Sequence, residues 1–534
     1  MPEVLENARS TTGTAVRLRD PSPSSGMCAL CVRECTVLCE VSKAAFRGRE
    51  VLYPVPEAFG DSTQASNKDY FLDWSHFQIQ VGLFGPHGID ADSDRAIFPS
   101  VDIRTTAGGV PLKVPIIIAG LGSTDVAKRN WDSLAVGAAL SGVIEVIGEN
   151  VCGMDPESRF DSDGRVTHSP DLQYRVDKYR EQWDGVHGDI VVQTNVEDQR
   201  FGVDLYALRQ LGVTTIERKW GQGAKAIGGE VRVHDLERAL ALKRRGYVVI
   251  PDPEDPAVQE AFGMGTFHTF ERHSRVGMPN ERSFVEDIHW LRSQGARRVF
   301  LKTGGYNAAS VAFTLKCASL AGIDLVTFDG AGGGTGMSPV PMMNECSTPT
   351  VYLLAQVLDG IRVLKRKGKH IPDIAIGGGF VNETQMFKAI AMSNLGDGHG
   401  PYVKAVAMAR APVTAAMKAS YFAELAAQGK LPAKFAETYG RDPHQFFVGQ
   451  VELRNRLNGQ LGTTVPWGAI GLYTYLTDRI GVGLQQLLAG CRKWRLDLLD
   501  RDDIAALTKR ASEVTGIPTL EETSRVAMET ILDF

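Results

Sequence analysis

The chain has 534 residues, 43% of them hydrophobic and 23% charged, with a formal net charge of −5. That composition supports a large buried core and excludes a disordered tail, a collagen or a coiled coil. The 58 Lys and Arg nearly balance the 63 Asp and Glu, so no whole-chain charge draws nucleic acid or an acidic membrane. No run reaches the roughly eighteen apolar residues of a membrane helix. The first 25 residues carry charges, Thr and Pro in place of an apolar signal core, so a cytoplasmic protein acting on small molecules is expected.

Residues 1–25 end in a Ser/Pro run and read as a flexible arm. Residues 26–110, rich in turn residues and aromatics, read as a small irregular N-terminal domain. It opens with half of the chain's eight cysteines, Cys28, Cys31, Cys35 and Cys39. Without a secretion signal, such clustering points to metal or cluster ligation before disulfides. Four thiolates have the number and softness for a [4Fe–4S] cluster, zinc being the lesser metal reading. On a straight helix, however, Cys28 and Cys39 would stand about 16 Å apart, so one cluster requires a sharp bend. The alternative is a stripe of small buried hydrophobes.

From Val114 the pattern changes: short apolar, β-branched runs alternate with helical segments. The runs are 114–119, 142–148, 189–193, 213–219, 297–302, 323–329, 372–378 and 403–409. Eight parallel strands interleaved with helices predict a (β/α)8 barrel over 111–420, an α/β fold, with a doubly wound open sheet as the runner-up. Ser123 or Thr124 is placed to cap the helix after the first run. An insertion of about 75 residues separates the fourth and fifth runs, too long for an ordinary connection, and is expected to shape the active-site face. Residues 421–534 read as a helical extension without a strand series. No P-loop and no strand-linked G-x-G-x-x-G is present.

Barrel enzymes react at the C-terminal ends of their strands and commonly bind phosphate after strands seven and eight. Here these places carry Gly377-Gly378-Gly379 and Arg410, which suit an anion. Strand four runs into Lys219, Gln222 and Lys225 among glycines, able to set an ammonium and an amide against a flavin N1/C2 edge. Strand five ends near Lys302, aimed at the mouth, and strand six runs into Asp329 and the glycine-rich turn through Gly333 and Gly334.

These residues carry a resemblance. The run GQGAKAIGG (221–229) resembles the QGAKPG-x-GG signature of the FMN-binding synthase domain of glutamate synthases, and GGGTGMSP (332–339) resembles that family's GGTGASP. Gly148-Glu149, Lys302 and the triple glycine fall in the family's order. The C-terminal stretch DLLDRDDIAALTKRASEVTGIP is similar to the ending of the stand-alone, archaeal-type members, which include N-methylglutamate-synthase-like proteins. The resemblance implies an FMN-binding barrel that reductively aminates a 2-oxo acid, 2-oxoglutarate to glutamate. Lys219, Gln222 and Lys225 would then border the flavin, with Gly333 and Gly334 beside it. Lys302 would serve flavin N1 or the substrate carboxylate, Glu149 would guide or deprotonate the amine, and Gly378, Gly379 and Arg410 would hold the phosphate.

Three departures accompany it. The family's acidic residue before GGTG is Gly332, so the contact of that carboxylate is either missing or moved to Asp329; its proline is Ala226; and 411–490 contain no cysteine, so any iron–sulfur cluster lies elsewhere. The start Met-Pro lacks an early cysteine, so no glutaminase domain is expected here. Ammonia or methylamine would come from solution or an amidotransferase partner, and electrons from ferredoxin or an NAD(P)H module, in an oligomer. Alternatives are an N-methylglutamate-forming enzyme, a 2-hydroxy-acid oxidase and a non-catalytic electron-transfer subunit. The oxidase ranks low, because Asp329-Gly330-Ala331-Gly332 stands where it needs His and Arg.

Overall fold

The computed structural model describes residues 33–34, 36, 40–49, 66, 68–90, 92–223, 227–333 and 338–533. Lys225, Gly334, Cys28, Cys31, Cys35 and Cys39 lie outside the described residues.

Eight parallel strands close into a barrel: β1 (Ile116–Leu121), β2 (Ile144–Ile147), β3 (Ile190–Thr194), β4 (Thr215–Lys219), β5 (Arg298–Gly304), β6 (Leu325–Asp329), β7 (Asp373–Gly377) and β8 (Val403–Met408). Closure runs through β8 against β1, where Val406, Ala407 and Met408 oppose Ile116, Ile117 and Ile118. Each strand falls within or beside one of the eight runs, because strands covered on both faces are largely apolar; β4 is the exception, its buried Glu217 and Arg218 being hydrogen-bonded or ion-paired. The outer ring comprises α1 (Asp125–Ser141), α2 (Pro170–Arg180), α3 (Val203–Arg209), α4 (Glu281–Ser293), α5 (Ala308–Ala321), α6 (Thr350–Arg366), α7 (Glu383–Met392) and α8 (Arg410–Ala427). Thr124 caps α1, its Oγ1 accepting the Ala127 N–H.

The N-terminal mouth of the barrel is plugged. Strands Thr105–Ala107 and Val110–Leu112 form a hairpin whose turn, Gly108-Gly109, has φ of +56° and +77°. Positive φ at both turn positions matches the twist of a two-residue hairpin and is open to glycine at little cost. Ala107, Val110 and Leu112 join Ile117, Ile144, Val146, Val191, Phe300, Leu325, Ala375 and Ala405 in one buried cluster inside the barrel. Asp373 holds the hairpin tip, its Oδ2 accepting the Gly108 N–H at 2.8 Å.

The insertion after β4 folds into a three-stranded antiparallel sheet of Glu230–Val233, Val248–Ile250 and Phe270–His273, with the last in the middle. The C-terminal extension is mainly helical and packs helix Trp467–Tyr473 against α1 and α8. It also contributes one short strand, Ile504–Ala506, paired antiparallel with Phe77–Ile79. No helix of the described residues is long and apolar enough to cross a membrane.

Candidate active site at the C-terminal mouth

Strand parity selects which side chains reach the barrel interior. On β5, Phe300 belongs to the interior cluster, so Lys302, two residues on, also faces inward beneath the mouth. The same alternation turns Gln193 on β3, Glu217 and Lys219 on β4, and Thr327 and Asp329 on β6 toward the axis, above the apolar cluster. Cations and carboxylates therefore converge where the strands end.

Lys219 Nζ lies 2.6 Å from Glu149 Oε1 and also bonds Gln222 Oε1. Burial pushes the Lys219 ammonium pKa down, and the Glu149 carboxylate opposes that shift. Lys302 is buried, with Nζ 3.8 Å from Asp329 Oδ2. The same Asp329 oxygen accepts the Gly223 N–H at 3.0 Å, tying the turn after β4 to β6. Below them, the Glu217 carboxyl accepts from Gln193 Nε2 at 2.5 Å. Burial raises its pKa; Lys302, Gln193 and Lys219 act against that rise. The result is two ammonium groups enclosed by three carboxyls, Glu149, Glu217 and Asp329, at one end of a closed barrel.

The glycine-rich turns interlock. A Cβ on Gly332 would stand 2.7 Å from Gly378 O, one on Gly330 2.6 Å from Thr350 Oγ1, and one on Gly304 3.0 Å from Gln222 O. Among the described residues, the turns after β4, β6 and β7 thus approach one another too closely for side chains at these glycines. Gln222, Asp329, Gly332, Gly333 and Gly378 are half-buried, while Gly379 and Arg410 are exposed. At the β4 edge a cleft of about 50 Å³ leads to the Glu149–Lys219 pair between Asn195, Gln222 and the insertion's Gly229 and Arg275. Drug-sized ligands fill about 300–1,000 Å³, so this cleft between described residues is smaller than such a ligand needs.

The structure brings Glu149, Lys219, Gln222, Lys302 and Asp329 together. Gly378, Gly379 and Arg410 lie at the ends of β7 and β8, the last as the first residue of α8. Sequence reasoning missed Glu217 and Gln193; the signal available was a polar side chain at an inward-facing strand position near the C-terminal end. Among the described residues no group of three or more His, Cys, Asp or Glu is placed to hold a metal ion.

Comparison with known proteins adds one sequence match. Residues 273–397, from the end of the insertion to the segment after α7, match the model described as the conserved region in glutamate synthase. No curated protein sequence matches the chain significantly. Among solved structures, the recombinant flavin-binding domain of baker's yeast flavocytochrome b2 is 13% identical, with a TM-score of 0.44 over 85% of this chain and 81% of that one. The monotopic membrane protein (S)-mandelate dehydrogenase is 16% identical, with a TM-score of 0.43 over 86% and 96%. A mandelate oxidase mutant with a monooxide FMN adduct is 11% identical, with a TM-score of 0.38 over 79% and 86%. The barrel assignment itself rests on the strand pairing.

Proposed function

We propose that the chain is an FMN-dependent oxidoreductase that reductively aminates a 2-oxo acid, 2-oxoglutarate and ammonia being the simplest pair. The observation that carries this reading is the enclosure of Lys219 and Lys302 by Glu149, Glu217 and Asp329 at the strand ends, within a chain whose residues 273–397 match the glutamate synthase region.

The residues present fit FMN. Gly378 and Gly379, with φ of +118° and +85°, turn the chain after β7 without a Cβ on either residue. The first turn of α8 has no side-chain cap, so its free N–H groups and the exposed Arg410 suit a phosphate. Buried Gln193 Oε1 and Thr327 Oγ1 have no hydrogen-bond partner among the described residues, leaving polar capacity beneath the mouth. When bound, FMN supplies the hydride for the imine carbon.

The chain's own groups do the rest. Lys302 offers positive charge to a substrate carboxylate or to the flavin N1 edge, and Asp329 keeps its ammonium oriented. Glu149, held against Lys219, presents a carboxylate at the cleft where a small amine enters, and its Oε1 can take a proton from the attacking nitrogen. For electron entry we propose Cys28, Cys31, Cys35 and Cys39 as ligands of a [4Fe–4S] cluster fed by ferredoxin or an NAD(P)H module. Among the described residues that follow them in sequence, Arg47 bonds Thr266 O at 3.2 Å and Arg49 bonds Glu271 at 2.5 Å, both partners on the insertion.

The test is the iron, sulfide and FMN content of anaerobically purified protein, then glutamate formation from 2-oxoglutarate, ammonia and reduced ferredoxin. Bound FMN with amine-dependent glutamate is expected. Protein that binds no FMN, or that oxidises 2-hydroxy acids without an amine, would overturn the reading.

A further inference from the structure

The residue after Glu149 is held by more groups than any turn requires. Asn150 is buried and adopts φ +66°, one of three non-glycine residues with positive φ among those described. Asn adopts the left-handed region more readily than other non-glycine residues, and here surrounding contacts fix it there. Its N–H is donated to both carboxylate oxygens of Asp198, at 3.1 and 3.0 Å. Its side-chain Oδ1 accepts from Tyr247 Oη at 3.1 Å, and its Nδ2 donates to Ser274 Oγ at 3.3 Å. Ser274 Oγ in turn accepts from Arg272, whose guanidinium stands 4.8 Å over the Tyr247 ring, and Ser274 N–H is donated to Gly229 O.

Tyr247, Arg272, Ser274 and Gly229 all belong to the insertion, whereas Asp198 belongs to the helix Val196–Phe201 after β3. Asp198 also accepts the Asn195 N–H at 3.2 Å. The Asn150 peptide is thus the knot where the insertion, the turn after β2 and the turn after β3 meet, one residue from the carboxylate that grips Lys219. Gly153 leaves room for the knot: a Cβ there would fall 2.8 Å from Tyr247 Cζ.

We propose that Asp198 is the positioning residue for Glu149: its carboxylate fixes the Asn150 turn and, through Asn150, makes the aim of Glu149 at Lys219 depend on the docked insertion. The chemical role given to Glu149 rests on the proposed function; the mechanical link does not. The charged and titratable groups facing Asp198 are Glu149 on the turn after β2, Cys152 on the short helix that follows, and Arg272 and Tyr247 on the insertion. Burial pushes the Asp198 carboxyl up to about 7, the N–H groups of Asn150 and Asn195 oppose this, and Glu149 adds to it.

The test compares full-length wild type with Asp198→Asn and Tyr247→Phe. Hydrogen exchange read by mass spectrometry, corrected for intrinsic rates, is expected to rise in both variants over 148–153 and over the insertion, 229–275, with the rest of the barrel unchanged. In wild type the same two segments should tighten together as pH falls from 8 to 6, because the docked state, with its raised Asp198 pKa, holds the proton more tightly than the opened one, and that pH response should vanish in Asp198→Asn. In the amination assay Asp198→Asn should lower kcat about tenfold or more with KM for the oxo acid within about twofold, and should remove the step near pH 7 from the kcat profile. Exchange confined to 148–153, or a pH response that survives in Asp198→Asn, would overturn the proposal even in an active enzyme. An inactive protein with coupled exchange would count against the proposed function and leave the link standing. If Asp198→Asn does not fold, Tyr247→Phe carries the exchange test alone.

Discussion

The two mouths of the barrel are built from the same eight strands to opposite ends. At the N-terminal mouth the hairpin fills the bore with Ala107, Val110 and Leu112, and its polar link to the strands is the Asp373 contact at the tip. At the C-terminal mouth the bore carries Lys219, Lys302, Glu217 and Asp329, and backbone takes the place of side chains in the surrounding turns. The difference teaches a division of labour. Apolar burial contributes about 25 cal/mol per Å² and asks only for volume, so the plugged end can stabilise the closed sheet. Charges enclosed at the other end are costly unless paired, and they gain from a scaffold already held shut elsewhere.

Removing a charge from the open end should show the largest effect. Lys302→Ala is expected to lower kcat by about 10²–10³-fold, the scale of losing one preorganised electrostatic contact, while flavin stays bound. Undiminished turnover would remove Lys302 from the machinery. The reciprocal change at the plugged end, Leu112→Ala, should cost about 2–5 kcal/mol in denaturant unfolding and leave turnover per folded molecule unchanged. A loss of turnover in that variant would show that the two ends are not independent.

The same contrast governs what the sequence discloses. All eight strands are legible because a doubly covered strand is largely apolar, and the plugged end adds nothing that periodicity must resolve. Lys219, Lys302 and Asp329 stand out by a different route, as charged residues at the C-terminal ends of barrel strands, and Glu149 only through the family resemblance. Asn150 and Asp198 are not legible, since 48 positions separate them and only the parallel pairing of β2 with β3 makes them neighbours. The hairpin plug is hidden for a related reason. Its three-residue strands are too short for a period, and the sequence alone reads 26–110 as irregular. The interlocking of the glycine turns is likewise invisible, because a glycine gives no sign of what replaces its side chain.

Between the two mouths lies a buried carboxyl that sharpens the comparison. Ile144 and Val146 face the bore, so Glu145 faces the helix layer, fully buried, with neither carboxyl oxygen hydrogen-bonded among the described residues. Burial raises its pKa well above the usual carboxylate range, and Arg175 only partly opposes this. The folded state therefore holds the Glu145 proton more tightly than the unfolded chain does. Its contribution to stability is complete below the ordinary carboxyl value and is lost as pH rises toward the folded one, by about 1.4 kcal/mol per pH unit over that window. Glu145→Gln has no proton to lose, so its unfolding free energy should fall less between pH 5 and 8. Parallel curves for the two proteins would mean that Glu145 has a partner that neutralises it.

The smallest effect belongs to the rim. Arg410 is exposed at the first position of α8, so water and salt screen whatever it holds. The free N–H groups of the first helical turn and the residues of Gly378 and Gly379 remain when its side chain is removed. Arg410→Ala should therefore weaken FMN about tenfold, equivalent to roughly 1.4 kcal/mol, and Arg410→Lys by less, since an ammonium keeps the charge and loses only the two-pronged contact. Fluorescence titration of FMN into apoprotein at low and high salt reads both. The wild-type advantage should shrink at high salt; a difference independent of salt would show that Arg410 acts by shaping the turn and not by its charge.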